Sequence, residues 1–292
     1  MNRRHAAEMA LVWNTLVWGS TFIVVKDMLR DLSPLLILAL RFGLATALLG
    51  TVFLATGWKP GKAGFLPGIG VGIFLFAGYF LQTAGLRYTS PPKSAFVTGL
   101  ASVLVPLIGS LVYRNKPQAS EVLGVLTATA GLALMTLESN IGAINLGDLL
   151  TFGSAIAFAC HIVMLGHFAE RTSFESLALT QIATAALCAV LLLGTQERSA
   201  VHWRPAVWYG ILITGVLATA LAFAIQAWAQ QYTTSTRTAL IYMLEPVAAW
   251  VVSFLVGGEG LSARASAGAV LILSGVLIVE LKPLNRRPHP CL

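Results

Sequence analysis

Between Pro205 and Thr236 the chain carries no Lys, Arg, Asp or Glu, and the same holds from Ser94 to Tyr113. Runs of that length and apolarity exceed the roughly 18 residues that mark a membrane-span candidate. In hydrocarbon such a run must satisfy its own backbone hydrogen bonds, which a helix does. Charged residues amount to 11% of the chain, against about 25% in soluble domains. Apolar types make up 57%, and mean hydropathy is +0.78. A soluble fold of 292 residues needs far more polar surface than this, so the sequence predicts an all-α integral membrane protein embedded in a lipid bilayer.

The formal charge of +7 comes from residues scattered in short breaks between apolar runs, with no basic stripe or recognition helix. Orientation signals lie in such breaks, and no nucleic-acid partner is expected. Cys160 and Cys188 fall within predicted spans and Cys291 in the tail, a pattern that gives no disulfide framework. Arg3, Arg4 and His5 imitate the start of a signal peptide, but Glu8 and Asn14 interrupt the run beyond, and no small-residue cleavage site follows. That run reads as a retained first helix.

The stretch Gln82–Leu137 recurs as Gln226–Leu281 at a constant offset of 144. Tyr88-Thr89 falls on Tyr232-Thr233, Gly124 on Gly268, and Gly131 on Gly275. A weaker match at an offset of 140 places Glu8 on Asp148 and Arg41 on Gln181. Ten spans are expected, beginning near Glu8, Pro34, Phe65, Ser94, Ala119, Leu146, Phe174, Pro205, Arg237 and Ser262. They divide into residues 1–140, residues 141–282 and a tail over 283–292. Five is odd, so the second unit enters the membrane upside down relative to the first. Two inverted five-helix repeats around an axis in the membrane plane are the usual basis of alternating access. The excess of Lys and Arg on the N-terminal side predicts that both termini, and hence the tail, are cytoplasmic.

Several polar residues inside the spans are candidates for substrate binding or gating. Arg41 lies about 10 Å into its helix, where an ionised side chain costs several kcal/mol unless paired, hydrated or able to reach the interface. It either snorkels or packs on a carbonyl, or else holds a substrate carboxylate or a gate. Glu245, with Tyr242 and Thr238 at helical spacing, forms a face suited to a polar cavity wall. Its carboxyl could hold a proton or serve as partner to the backbone or to Arg41. Tyr79, Gln82 and Thr83 share one side of the third span, and Gln226 is Gln82's equivalent in the eighth, where Trp228 follows it. Ser94, Thr98 and Ser102 recur every four residues, as close helix packing or ligand contact both require. Asn14, Trp18 and Thr21 form a stripe on the first span, where Trp18 stacks a substrate or anchors at the interface. His161 is either a site of proton coupling or a neutral core imidazole. The glycine pairs in spans five and ten suit scaffold or dimer contacts, because seven-residue spacing keeps them on one face.

No metal or nucleotide motif survives inspection, so no cofactor is expected. Gly68-Ile69-Gly70-Val71-Gly72 lacks the strand–turn–helix context of a dinucleotide fingerprint. There is no Walker sequence, and no serine, histidine and carboxylate constellation that would support hydrolysis. An integral-membrane enzyme or lipid-handling protein would cluster its polar residues near one headgroup layer, whereas here they lie inside spans in both halves.

Trp18-Gly19-Ser20-Thr21-Phe22 with Lys26, Pro34 and Arg41, Ala84-Gly85-Leu86-Arg87-Tyr88-Thr89, Glu245-Pro246-Val247 and Gly258-Glu259 occur in this order. With these elements the chain resembles the drug/metabolite transporter superfamily, in its ten-helix group with two EamA-type repeats. The resemblance covers nearly the whole chain. It implies a basket-like arrangement around a central cavity, and a bacterial inner-membrane exporter of amino acids or related small metabolites, similar to the group's aromatic amino acid exporters. A runner-up solute class is lipophilic cations or nucleotide-linked metabolites. Arg41 matches the group's helix-two arginine, whereas Gln181 leaves the second repeat uncharged there. Oligomeric state is open, and a monomer suffices for this architecture.

Overall fold

The computed structural model describes residues 3–59, 64–114, 116–136, 145–194, 201–245, 247–248 and 262–280. The first half runs through α1 (Arg3–Met28), α2 (Pro34–Ala55), α3 (Phe65–Gly85), α4 (Pro91–Gly99), α5 (Ala101–Tyr113) and α6 (Ala119–Thr136). The second runs through α7 (Leu146–Ala169), α8 (Phe174–Leu193), α9 (Pro205–Leu212), a π-helical segment (Ile213–Leu221), α10 (Ala222–Ala229), α11 (Ser235–Tyr242) and α12 (Ala263–Glu280). The polar breaks start the helices. The Ser33 hydroxyl accepts the Leu36 N–H ahead of Pro34, and Thr234 accepts that of Arg237. Asn145 and Asp148 form a reciprocal capping box at the start of α7.

Seven helical stretches among the described residues are long and apolar enough to cross a membrane, and α6 and α12 are shorter apolar helices. Leu66, Leu111 and Leu191 stay exposed on the outside of the bundle, where lipid replaces water as the solvent. With α4–α5 as one crossing, α9 to α10 as another and α11 opening the ninth, the protein is a ten-helix membrane bundle of two inverted repeats. Its largest apolar core joins α2, α3, α7, α8 and α10, around Phe42, Leu75, Leu177, Ile182 and Phe223.

Glycines fix the closest approaches. A Cβ on Gly72 would lie 2.6 Å from the Gln181 carbonyl oxygen, so α3 and α8 touch backbone to backbone. On α6 and α12 a Cβ on Gly124 would lie 2.7 Å from Gly275 O, and one on Gly131 2.6 Å from Gly268 O. The equivalent helices therefore cross-match antiparallel, each repeat's first glycine against the other's second.

Two spans differ from their expected continuity. The fourth tightens at Leu100, whose N–H bonds Val97 O, and the ninth does the same at Met243 and Leu244, which bond Leu240 O and Ile241 O. These breaks are 144 residues apart and belong to the repeat. In the first, Gly99 packs so closely that a Cβ would meet Leu132 Cδ2 at 2.5 Å. The eighth span widens into the π segment, whose surroundings satisfy the disturbed backbone. Trp18 Nε1 donates to Ala218 O at 2.8 Å and Asn14 Nδ2 to Ala222 O at 2.9 Å. The ninth span beyond Ala248, including Gly258-Glu259, lies outside the described residues, as do Pro246, Cys291 and the tail.

Outside the spans, Arg204 clamps the α1–α2 turn. Its Nε donates to Asp31 Oδ2 at 2.8 Å, and Nη2 reaches both Asp31 and Asp27. The hydrogen bond from Arg204 is the main reason that the Asp31 carboxyl stays below its ordinary range. A carboxyl depressed by folding contributes stability above its unfolded pKa and loses it as pH falls through the folded value. In thermal melts of detergent-solubilised protein, Asp31→Asn is expected to melt below the parent at pH 7, with the gap closing below about pH 4. A gap that persists unchanged at pH 3 contradicts this.

Candidate functional site

A cavity of about 100 Å³ lies at the centre of the bundle. Its wall combines α1, α3, α4 and α5 of the first half with α7, α10 and the α11 break of the second, while Arg41 enters from α2. The lining repeats the sequence offsets. Trp18, Thr21 and Phe22 are matched at 140 residues by Phe158, His161 and Ile162. Tyr79, Gln82, Thr98 and Ala101 are matched at 144 by Phe223, Gln226, Tyr242 and Glu245. One pseudo-twofold axis thus passes through the cavity, and its polarity differs wherever the paired residues differ.

Arg41 does not reach the headgroups. It is 2% exposed. Its Nε donates to Thr219 Oγ1 at 2.9 Å, and its guanidinium carbon sits 4.4 Å from the centre of the Tyr79 ring. Thr219 is presented by the π segment, where its hydroxyl also bonds Thr214 O. Among the described residues no carboxylate pairs with Arg41. Glu245 lines the same cavity, half-buried, and also has no ion-pair partner among them. An ionised group left unpaired in a low-dielectric site costs several kcal/mol, a cost that an oppositely charged ligand would recover.

The aromatic wall is built by contact. Trp18 packs against Tyr242 at 4.8 Å and Phe223 at 5.5 Å between ring centres. Tyr79 packs edge-on against Phe158 at 5.1 Å and Phe223 at 5.9 Å. Gln82 Nε2 donates to Thr98 Oγ1 at 3.1 Å. Gln226 Nε2 donates to Gln230, leaving Gln226 Oε1 buried without a partner among the described residues. His161 Nε2 lies 2.7 Å from Gln181 Oε1, so the imidazole is held by the residue that replaces Arg41 in the second repeat.

The structure thus brings Trp18, Arg41, Tyr79, Gln82, Thr98, His161, Gln226, Tyr242 and Glu245 to one cavity. Asn14, Ser94 and Trp228 lie behind its lining. Asn14 serves the Ala222 carbonyl, Ser94 is fully buried with its hydroxyl unpartnered among the described residues, and Trp228 packs on Tyr232 at the N-terminal end. Ser102 lines the cavity and donates to Ala239 O. Phe158, Thr219 and Phe223 are site residues that the sequence reading missed. The repeat offsets point to the first and last, because they answer Trp18 and Tyr79. No group of three or more His, Cys, Asp or Glu side chains among the described residues could hold a metal ion.

A family model described as the EamA-like transporter family matches residues 6–137 and again residues 145–281. An uncharacterized transporter of Archaeoglobus fulgidus is 36% identical over 281 residues, covering 96% of this chain and 87% of its own. Probable amino-acid metabolite efflux pumps of Salmonella typhimurium and Escherichia coli are 28% and 25% identical, over 90% and 95% of this chain and the same shares of their own. A protein of known crystal structure superposes with a TM-score of 0.77 at 20% identity, over 94% of this chain and 98% of that one. That likeness concerns the fold alone.

Proposed function

As a member of the EamA-like transporter family, the chain moves a small molecule across a membrane and is not an enzyme, and we propose that it exports amino-acid-sized zwitterions by alternating access. The observation that carries this reading is the pair of ionisable side chains, one basic and one acidic, that line one cavity without an ion-pair partner among the described residues. Arg41 offers a planar fork of donors suited to a carboxylate, and Glu245 offers an acceptor for an ammonium. Trp18, Tyr79, Phe223 and Tyr242 surround the space between with aromatic surface, which favours solutes with an apolar or aromatic side chain. Gln82 and Gln226 supply neutral hydrogen bonds from the two halves. The direction is supported by the names of the two efflux-pump relatives, and an inner membrane with both termini cytoplasmic accords with the Lys and Arg bias.

Counterflow in proteoliposomes tests the reading with four probes: phenylalanine, its amide, phenethylamine and phenylpropionate. Only the full zwitterion is expected to exchange at a saturable rate. Equal exchange of phenethylamine would refute the carboxylate assignment and favour a carrier of lipophilic cations. Glu245→Gln and Gln82→Ala are each expected to lower the zwitterion flux at least about tenfold, the loss of one charge-assisted or neutral bond, with unchanged yield of folded protein. Glu245 is also where a proton would act, so in Glu245→Gln any response of flux to a pH gradient disappears.

A further inference from the structure

The internal symmetry reaches beyond the cavity to two ion pairs that the transport site does not use. Lys93 and Arg237 are 144 residues apart, and Glu8 and Asp148 are 140 apart, the same offsets that pair the cavity walls. Lys93 Nζ lies 2.6 Å from Asp148 Oδ2, and Arg237 Nη1 lies 3.4 Å from Glu8 Oε1. Each bond ties the opening turns of α4 or α11 to those of α7 or α1 in the opposite repeat. Chain direction alternates from span to span, so α1 and α11 begin on the N-terminal face while α4 and α7 begin on the other. One pair therefore stands at each face, with the cavity between them.

The helices pack closely beside both pairs. On the N-terminal side Ala7, Leu11, Ala229 and Ile241 close into an apolar cluster. On the other, α3 and α7 meet so tightly that a Cβ on Gly85 would lie 2.8 Å from Gly147 O, and the buried Leu86 lines the cavity beside them. We propose that the two pairs are latches, one for each face, that break alternately as the carrier opens to one side and then the other. Each pair is at least partly shielded from water, so parting it costs more than parting an exposed pair. Each acid nevertheless keeps a partner on its own side of the joint. Arg4 Nε donates to Glu8 at 2.6 Å, and the Asn145 N–H donates to Asp148 at 3.0 Å. A latch can thus release without leaving a bare carboxylate. The latches also differ, since Thr89 Oγ1 donates to Asp148 at 2.8 Å whereas the hydroxyl of its counterpart Thr233 is buried without a partner among the described residues.

This inference rests on the alternating-access reading but not on the identity of the solute. With Cys160, Cys188 and Cys291 replaced by serine, Ala101→Cys places a reporter thiol in the cavity wall. Its rate of modification by a membrane-impermeant maleimide is read separately from each face of oriented vesicles. Glu8→Gln is expected to raise labelling from the N-terminal face at least about tenfold, and Asp148→Asn to raise it from the opposite face. The exchange Glu8→Arg with Arg237→Glu returns labelling toward the parent rate. Both substitutions acting at one face, or neither acting at all, would overturn the proposal. If a neutralised variant does not fold, Glu8→Cys with Arg237→Cys, without the reporter, is bridged by a bifunctional methanethiosulfonate. Bridging is expected to stop phenylalanine counterflow, and counterflow that continues after bridging overturns the latch. Absence of phenylalanine counterflow before bridging would count against the proposed solute instead, and the bridged protein carrying Ala101→Cys, blocked after bridging from labelling at the N-terminal face but not at the other, then judges the latch.

Discussion

Arg41→Ala is expected to lower zwitterion counterflow by at least about a hundredfold. The estimate is the loss of two charge-assisted hydrogen bonds to a carboxylate, together about 3 kcal/mol. A purely structural arginine gives another result, because removing its contacts with Thr219 and Tyr79 would lower thermal stability and leave KM unchanged in whatever folds. Arg41→Lys separates charge from shape. Its ammonium keeps the positive field but lacks the fork that serves Thr219 and a ligand at once, so flux falls about tenfold and half-saturation rises. Phenylpropionate, which keeps the carboxylate alone, should lose any residual binding to the Arg41→Ala protein. Tight phenylpropionate binding to that variant would place the carboxylate elsewhere.

Gly131→Ala is expected to cost the protein its fold. The added Cβ would lie 2.6 Å from Gly268 O and 2.8 Å from the Ile272 backbone nitrogen, and neither atom can swing aside as a side-chain end can. The helices must separate, and the lost packing along α6 and α12 is worth at least about 3 kcal/mol on the scale of disrupted cores. Gly43→Ala is the control, because a Cβ there meets nothing within 4 Å and alanine has the better helix propensity by about 1 kcal/mol. Yield of monodisperse protein and melting temperature should fall sharply for the first substitution and hold or rise for the second. Equal behaviour of the two would mean that the seam relaxes without cost.

Much of this architecture is legible in the sequence because the bilayer simplifies the physics. Apolar runs must become helices, and an odd number of them must invert the second repeat. The repeat offset also pairs Gln82 with Gln226 and the crossing glycines with one another. What escapes the sequence is tertiary in origin. Nothing in Ile213–Leu221 announces a π segment, since it lacks proline and its conformation is completed by Trp18 and Asn14 from the first helix. Thr219 owes its place beside Arg41 to that widening and is an ordinary hydroxyl in the sequence. Asn14 and Trp18 lie on one helical stripe, yet one satisfies a carbonyl behind the wall while the other does so and also faces the cavity. A stripe does not distinguish them, because the neighbouring helix decides which carbonyls need a donor.

The crossed contact of α6 with α12 has the form of an isologous interface, in which residue i of one copy meets residue j of the other and j meets i. Gly124 against Gly275 and Gly131 against Gly268 are the same contact made twice in opposite senses. Sliding either helix by one turn would spoil both at once, so this seam has a single register and no intermediate position. In the proposed alternating access it would serve as a fulcrum, about which the rest of the bundle rocks without shearing past it.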